Sequence, residues 1–358
     1  MALSRINANS ITDDSITVDQ IADNAVHGRR NLIINGAMQI AQRGTSNTSK
    51  TTSHFVTDRF EYEITNAGTW TTSQSTTAPA QFSNSLKADC TTADSSLASG
   101  DLLRIIYQFE GQDMQHLLYG ESTAKALILS FWVRSNKTGT YNIQFQQADN
   151  SYKQVTKSFT IDAADTWEQK EVTIPGDTAG VINDDTGEGF RICWVLAAGS
   201  TFTGGSERST WTAFSNADVA PTQTVNLADS TSNEFYLTGV QLEVGDKASP
   251  FEYRSFGEEL PLCQRYFQFE PFSVTGWPQS ATRFSAGFVY MQTMRANPSI
   301  TLDSGFYGYG PGGQQSISSI ATYSIGDSSA VMHFDTPGGM TVNTGCVAQP
   351  VMKLDSEL

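Results

Sequence analysis

The chain has 358 residues, of which only 16% are charged, and its formal net charge is −15 at pH 7. A field of that sign repels nucleic-acid backbones and anionic membrane surfaces, so neither is expected as a partner. Thr, Ser, Gly, Asn and aromatic residues are abundant, which favours strands and polar loops over helices, and the length allows two cores.

The N-terminus lacks the apolar core of a signal peptide, and no apolar run approaches the length of a membrane span. We therefore expect the chain to be made and folded in a cytoplasm, without membrane insertion. No CxxC pair occurs, and the sequence around two of the cysteines is apolar, so we expect buried thiols instead of a disulfide framework. The four cysteines are widely separated: Cys90, Cys193, Cys263 and Cys346.

Residues 1–30 form an extended N-terminal segment with an apolar residue at every fifth position. These residues are Ile6, Ile11, Ile16, Ile21 and Val26. A period of five fits neither a strand nor a single helix, and so polar a segment cannot bury a core by itself. It is either a disordered leader or an extended segment whose evenly spaced side chains anchor it on other subunits. The regular period favours the anchoring interpretation.

Residues 31–254 are predicted to form one jelly-roll β-sandwich, because short apolar strands alternate with turn-rich pieces. The domain would open with a strand, a turn at Asn35–Gly36 and a second strand within residues 31–44. One helical turn is expected near residues 111–118. The last strand should pair near residues 31–40, which would bring the ends of the domain together. Further strands are predicted at 58–64, 68–73, 85–89, 102–109, 126–135, 140–147, 166–174, 189–197 and 235–244.

Residues 255–267 are predicted to form a short helical connector, because Ser255 and Glu258 have the spacing of a capping box. Pro261 has no amide hydrogen to donate, which keeps the helix short. Three apolar residues at helical spacing are expected to face an interface between the two domains or between subunits. They are Leu260, Cys263 and Phe267.

Residues 268–358 continue the all-β texture and are predicted to form a smaller β-sandwich. Loops rich in glycine and aromatic residues separate its strands, an example being residues 305–313. The domain has fewer than 100 residues and few obvious core positions, so contacts in a homotrimer would help to stabilise it. Its strands are predicted at 284–291, 299–302, 316–324, 330–334 and 346–354.

Two sets of motifs bracket the first domain. NLIINGAMQIAQRG at residues 31–44, followed by TDRF at 57–60, resembles the opening of jelly-roll domains in bacteriophage fibre proteins. TGVQLEVG at 238–245, PFEYR at 250–254 and ELPLCQRY at 259–266 resemble the close of the same domain. The N-terminal segment resembles the Ile/Ala/Asp repeats that precede such domains in phage tail proteins. The domain is also similar in fold to jelly-roll carbohydrate-binding modules.

The resemblance implies a structural virion protein, a homotrimeric tail fibre made in the host bacterial cytoplasm. Its N-terminal segment would dock on other virion proteins of the tail or capsid. Its distal β domains would attach the particle to a host-surface glycan or protein. A capsid-attached head fibre or decoration protein is one alternative, and a glycan-active enzyme module is an alternative of another class.

No catalytic motif is apparent, so we do not expect an enzyme. The four histidines are dispersed, and none lies in a nucleophile elbow. Nor does the sequence show the repeated short strands of the long β-helix typical of depolymerising fibres. Paired carboxylates for glycan cleavage are the remaining enzymatic hypothesis, since any fold can bring two together.

A structural calcium is the one cofactor considered. Asp184, Asp185 and Glu188 lie in an acidic turn and could supply oxygen ligands to this ion. A solvated turn explains the same residues more simply, and no other cofactor is expected.

Sugar recognition needs exposed aromatic rings that stack on pyranose faces, with amides and carboxylates to bind the hydroxyl groups. Aromatic residues in Gly/Pro-rich segments are the predicted receptor- or glycan-contacting residues, although packing against a neighbouring subunit would explain them as well. They are Trp277, Phe306, Tyr307 and Tyr309. The tryptophans within strands are predicted to belong to the core. These are Trp70, Trp132, Trp167 and Trp194.

Overall fold

The computed structural model describes residues 29–303, 307–310, 313–338, 340–342 and 344–358. It is nearly all β, as predicted, with antiparallel sheets throughout. The five predicted anchoring residues of the N-terminal segment, and Phe306, lie outside the described residues. Within the described ranges, no helix is long and apolar enough to cross a membrane.

The first domain is a jelly-roll β-sandwich of thirteen strands. In chain order they are β1 (Ser46–Lys50), β2 (His54–Phe55), β3 (Phe60–Thr65), β4 (Thr69–Ser75), β5 (Ser85–Thr92), β6 (Leu102–Glu110), β7 (Leu127–Ser135), β8 (Gly139–Gln147), β9 (Lys153–Ile161), β10 (Glu168–Ile174), β11 (Glu188–Ala198), β12 (Arg208–Thr212) and β13 (Glu234–Val244). The six-stranded sheet has the order β1-β4-β5-β13-β7-β10, and the seven-stranded sheet has the order β12-β9-β8-β11-β6-β3-β2. Short 3-10 helices occur at Gly111–Leu117, Ala148–Asn150, Asn216–Asp218 and Leu227–Asp229.

One continuous apolar core lies between these two sheets. Trp70 and Trp194 are fully buried in it, as the sequence predicts. The prediction was wrong for Trp132 and Trp167, which are only half-buried. Successive side chains of a strand point to opposite faces of its sheet. Phe131 enters the core, so its neighbour Trp132 lies on the outer face.

In the jelly roll, all nine strands predicted between residues 58 and 244 are present, with their ends shifted by a few residues. In this domain, four strands were not predicted, namely β1, β2, β9 and β12. These strands are short or rich in Ser, Thr, Lys and Gln, and their apolar alternation is too weak to recognise.

The prediction of two strands within residues 31–44 was wrong, because this segment contains no strand. Asn35 and Met38 have φ values of 62° and 55°, which interrupt an extended backbone. The segment does lie against β13, as expected. The Leu32 amide donates to the Leu242 carbonyl at 2.9 Å, and the Val240 amide donates to the Gly36 carbonyl at 2.9 Å.

The opening motif and the closing motif of this domain bind each other directly. Glu252 accepts a hydrogen bond from the Asn31 amide at 2.7 Å, and Glu259 accepts one from the Asn35 amide at 2.5 Å. Gly36 packs so closely on β13 that a Cβ there would lie 2.2 Å from the Val240 carbonyl oxygen. The residues that carry the family resemblance therefore close the sandwich.

Helix α1 (Phe256–Gln264) follows the sandwich, and its capping box at Ser255 and Glu258 is present as predicted. Pro261 lies inside this nine-residue helix. The Arg265 guanidinium, just after the helix, donates to both carboxylate oxygens of Glu110 at 2.7 and 2.6 Å. The helix is thereby bound to the end of β6.

The C-terminal domain is a smaller β-sandwich with its own core. Its strands are β14 (Phe267–Pro271), β15 (Val274–Ser280), β16 (Arg283–Val289), β17 (Ser299–Leu302), β18 (Tyr307–Gly310), β19 (Gly313–Ser316), β20 (Ser319–Ile325), β21 (Ser329–Asp335), β22 (Cys346–Ala348) and β23 (Val351–Asp355). Three strands form a sheet of order β14-β23-β17, and seven form a sheet of order β19-β18-β22-β15-β16-β21-β20.

The predictions for two stretches of this domain were wrong, and its strands β14 and β15 were not predicted. Residues 346–354 are two strands in different sheets, separated at Pro350, which cannot donate a ladder hydrogen bond. Residues 305–313, predicted as a loop, contain β18, which pairs with β19 and with β22. The neighbouring strand β19 and the distant strand β22 both pair with this glycine-rich strand and stabilise it, and local propensity does not indicate it.

Candidate functional site

A groove of about 440 Å³ lies on the outer face of the six-stranded sheet of the jelly roll. Its floor is formed by Ser130 and Trp132 of β7 and by Gln169 of β10. Gln169 is the cross-strand partner of Trp132, so these two side chains lie next to each other on one face. Grooves that bind small ligands have volumes of about 300–1,000 Å³, and this groove falls within that range.

Two loops form the walls of the groove. Gln81 comes from the loop between β4 and β5, and Phe251 and Tyr253 come from the segment that follows β13. Tyr253 is 55% exposed, and its hydroxyl donates to the Gln81 carbonyl at 3.0 Å. A tyrosine phenol is protonated at neutral pH and can donate this bond, and desolvation raises the pKa of Tyr253 further above its usual value. The bond joins the two walls.

Aromatic rings support both walls. The ring centroids of Phe82 and Phe251 are 5.0 Å apart, and those of Phe251 and Tyr253 are also 5.0 Å apart, both pairs in edge-to-face geometry. Such contacts hold the rings in fixed orientations and stabilise each pair by about 0.5–1.5 kcal/mol. The aromatic wall is therefore ordered before any ligand arrives.

Gly239 makes the floor of the groove accessible. It lies in a bulge of β13 at a φ of +59°, a conformation that glycine adopts without strain. A Cβ at this position would lie 2.6 Å from Cζ of Phe82 and 2.9 Å from Cδ1 of Trp132. The glycine thus allows the wall and the floor aromatic rings to approach the same point.

The groove combines aromatic faces with neutral hydrogen-bonding groups. Trp132 and Tyr253 present ring surface, while the exposed amides of Gln81 and Gln169 can both donate and accept hydrogen bonds. Ser130 adds a hydroxyl group at the floor. This is the combination that binds a sugar, whose C–H face packs on a ring while its hydroxyls exchange hydrogen bonds.

The sequence did not predict that Trp132, Tyr253, Gln81 and Gln169 would line one groove. Trp132 lies in an apolar strand that reads as core, and Tyr253 lies in a motif that was treated only as a domain boundary. The one available signal was the alternation along β7, in which Ser130 and Trp132 share a face opposite to Phe131. That alternation shows a shared face, but not that the face is open to solvent.

Trp277, a predicted glycan contact, is 69% exposed on the outer face of the C-terminal domain. It belongs to β15 instead of a loop, and its cross-strand partner is Ser285. The Ser285 hydroxyl and Nδ1 of His333 are 2.6 Å apart. The ring of Tyr323, which is 71% exposed, contacts the His333 ring at a centroid distance of 5.3 Å. Sequence analysis did not single out Tyr323.

The other predicted contacts, Tyr307 and Tyr309, lie on β18. Register places Tyr309 opposite Val347 of β22. This strand joins the same sheet as Trp277 but is separated from β15 by β22. The structure therefore places Tyr307, Tyr309 and Trp277 on strands of one sheet.

The three predicted interface residues lie where the helix meets the rest of the chain. Leu260 and the fully buried Cys263 pack in a small cluster with Ile34 and Ile40 of the opening segment. Phe267 is buried, and the Arg43 guanidinium lies 3.6 Å from its ring centroid. Whether the same surface also meets another subunit stays a prediction.

The acidic turn considered for calcium is engaged in protein contacts. Asp185 accepts a hydrogen bond from the Gly187 amide at 2.8 Å, and the Glu188 carboxylate pairs with the Arg191 guanidinium. Asp184 is exposed. In the part of the chain that the structure describes, no group of three or more His, Cys, Asp or Glu side chains could hold a metal ion.

No family model matches the chain, and no curated protein matches its sequence. Among solved structures, a Bacteroides thetaiotaomicron protein described as a candidate sugar-binding protein is 12% identical, with 60% of this chain and 100% of that chain covered and a TM-score of 0.33. The enzymatically active domain of tailspike protein 4 of bacteriophage CBA120 is 11% identical. The match covers 60% of this chain and 21% of the tailspike chain, with a TM-score of 0.31. A family 11 carbohydrate-binding module of a Clostridium thermocellum cellulase is 10% identical. The match covers 58% of this chain and 99% of the module, with a TM-score of 0.30.

Proposed function

We propose that this chain is a structural protein of a bacteriophage virion, a homotrimeric tail fibre that attaches the particle to the host surface by binding glycan in the groove of its jelly roll. The observation that carries the glycan-binding proposal is the groove in which Trp132 and Tyr253 lie beside the amides of Gln81 and Gln169. The virion role is supported by the motifs at both ends of the jelly roll, which resemble those of phage fibre proteins.

We further propose that the groove binds sugar without cleaving it. Canonical glycoside hydrolysis needs two carboxyl groups on either side of the scissile bond. On this face, Glu243 is buried and accepts hydrogen bonds from Gln241 at 3.0 Å and from the Ser249 hydroxyl at 2.7 Å. The Glu243 carboxylate thus holds the segment after β13 in place, and the described residues that line the groove include no acid to act together with Glu171 of the neighbouring β10.

The test is a comparison of two single tryptophan variants in the full chain. Trp132→Ala should weaken binding to host-surface polysaccharide at least about tenfold, because a central aromatic anchor contributes about 2 kcal/mol or more. Trp277→Ala removes an exposed ring from the C-terminal domain and should leave that binding unchanged. Binding is measured by calorimetry, and circular dichroism verifies that each variant is folded.

The reverse result, with binding lost only in Trp277→Ala, would move the glycan site to the C-terminal domain. Binding that survives both substitutions would contradict the proposed site. Shortened polysaccharide products after incubation with the unmodified protein would favour the glycan-active enzyme hypothesis instead.

A further inference from the structure

The carboxylate of Glu171 lies at the edge of the groove and has no role in stabilising the fold. Glu171 lies on β10 two residues beyond Gln169, on the same outer face, and its cross-strand partner is Ser130 of the groove floor. Its side chain is exposed, and it makes no hydrogen bond or ion pair with any residue that the structure describes. As a diagonal neighbour of Trp132, it lies within about 7–8 Å of that residue.

The cations nearest in sequence to this face are already neutralised. Lys170 pairs with Asp162 at 3.1 Å and with Glu168 at 2.6 Å. Arg134 pairs with Asp165 at 3.0 Å. Their charges are therefore balanced locally and do not cancel the charge of Glu171.

The described residues that line the groove include no cation. They supply aromatic, amide, hydroxyl and aliphatic surface, so an anionic group on a ligand would find no charged partner. Removing a carboxylate from water without such a partner costs free energy, and the net charge of −15 adds a repulsive field. A hydroxyl group, in contrast, can donate a hydrogen bond to the Glu171 carboxylate.

From this arrangement we infer that the groove selects uncharged sugars and that Glu171 is the specificity-determining residue that rejects sugars bearing carboxylates, such as uronic acids. This inference rests on the proposed glycan-binding function of the groove. It concerns which class of glycan is bound, and it assigns Glu171 a role that the fold does not require.

The experiment compares matched ligands on the full chain and on variants of Glu171. The ligands are neutral trisaccharides of glucose, galactose, mannose or N-acetylglucosamine. Each is compared with the corresponding trisaccharide in which C6 of the sugar is oxidised to a carboxylate. The unmodified protein should bind the carboxylated form about tenfold more weakly at low salt, since like charges repel over this distance. Glu171→Gln should reduce that difference by the part that Glu171 contributes, and Glu171→Lys should reverse it. Adding 0.5 M salt should reduce the difference more in the unmodified protein than in Glu171→Gln.

Asp327→Asn is the matched control, because it removes one exposed carboxylate from the C-terminal domain. It should leave the preference for the neutral sugar intact. Glu171 is exposed on an edge strand, so both of its substitutions should fold.

The experiment distinguishes failure of this inference from failure of the proposed glycan-binding function. Equal or tighter binding of the carboxylated sugar, with both forms sensitive to Trp132→Ala, would overturn the inference and leave glycan binding in place. If no sugar of either kind binds in a Trp132-dependent way, the proposed function fails, and the inference fails with it.

Discussion

The role of a single side chain in this sandwich depends on the face of the sheet that it occupies. Phe131 and Trp132 are adjacent in one apolar strand, yet the first is fully buried in the core and the second forms the floor of a groove. Because strand periodicity is two, neighbours in sequence have opposite environments. Trp132 is thus available to a ligand although the surrounding sequence reads as core.

The same principle places a carboxylate in an unfavourable position on the other sheet. Glu61 lies on the outer face of β3, where burial raises its pKa to about 7 and the charge of Glu63 contributes in the same direction. The unfolded chain has an ordinary glutamate pKa of about 4.5. Between these two values the folded protein holds a proton that the unfolded chain has lost.

Glu61→Gln should therefore change how stability depends on pH. In the unmodified protein, this residue makes the free energy of unfolding fall as the pH rises from about 4.5 to 7. The variant should lack that fall and should be more stable at pH 8 by on the order of 1 kcal/mol, allowing for partial exposure of the carboxylate. Urea unfolding from pH 4 to 8 measures the effect, with Glu171→Gln as the exposed control. Parallel pH profiles for the unmodified protein and Glu61→Gln would contradict the assignment.

Among the structural elements, helix α1 (Phe256–Gln264) has the clearest structural role. Its capping box could be predicted from Ser255 and Glu258, because these two residues lie only three positions apart in the sequence. The packing of this helix against β6 could not be predicted from the sequence, since Glu110 and its partners Arg265 and Tyr266 are more than 150 residues apart. The Tyr266 hydroxyl donates to Glu110 at 2.6 Å, and the carboxylate is fully buried.

Glu110→Gln should loosen the attachment of the helix to the jelly roll. We expect a cost of about 2–3 kcal/mol, less than for a fully buried ion pair, because Glu110 is fully buried but the Arg265 side chain is 29% exposed. Asp165→Asn breaks the exposed pair with Arg134 and should cost no more than about 1 kcal/mol. Chemical denaturation of both variants gives the two free energies of unfolding. Equal costs would show that Glu110 does not hold the helix in place.

The whole molecule is organised by contacts between segments that are distant in sequence. Glu252 and Glu259 hold the opening segment at Asn31 and Asn35, so the two ends of the jelly roll meet. Near the C-terminus, Arg59 pairs with Glu357, and its guanidinium lies 3.4 Å from the ring centroid of Tyr266. The two sandwiches and the helix thus share one buried polar junction.

A chain that begins at residue 31 should test the role proposed for the N-terminal segment. It keeps Asn31 and all of its contacts, so we expect it to fold, to form the same oligomer and to bind host cells. It should fail to join phage particles, because the evenly spaced residues from Ile6 to Val26 are missing. Light scattering gives the oligomeric mass, and labelling of purified particles measures incorporation. Normal incorporation of the shortened protein would contradict the anchoring proposal, and label on the head would favour a head fibre.

The all-β class, most strand positions, the burial of Trp70 and Trp194 and the capped helix follow from the sequence, because alternation and capping are local patterns. The absence of a strand in residues 31–44 follows from the three-dimensional structure, since Asn35 and Met38 adopt positive φ while the segment binds β13 (Glu234–Val244). The three-dimensional structure also determines the site. Trp132, Gln169, Gln81 and Tyr253 come from four separate segments, and only strand pairing and loop packing bring them together. No local pattern encodes that convergence.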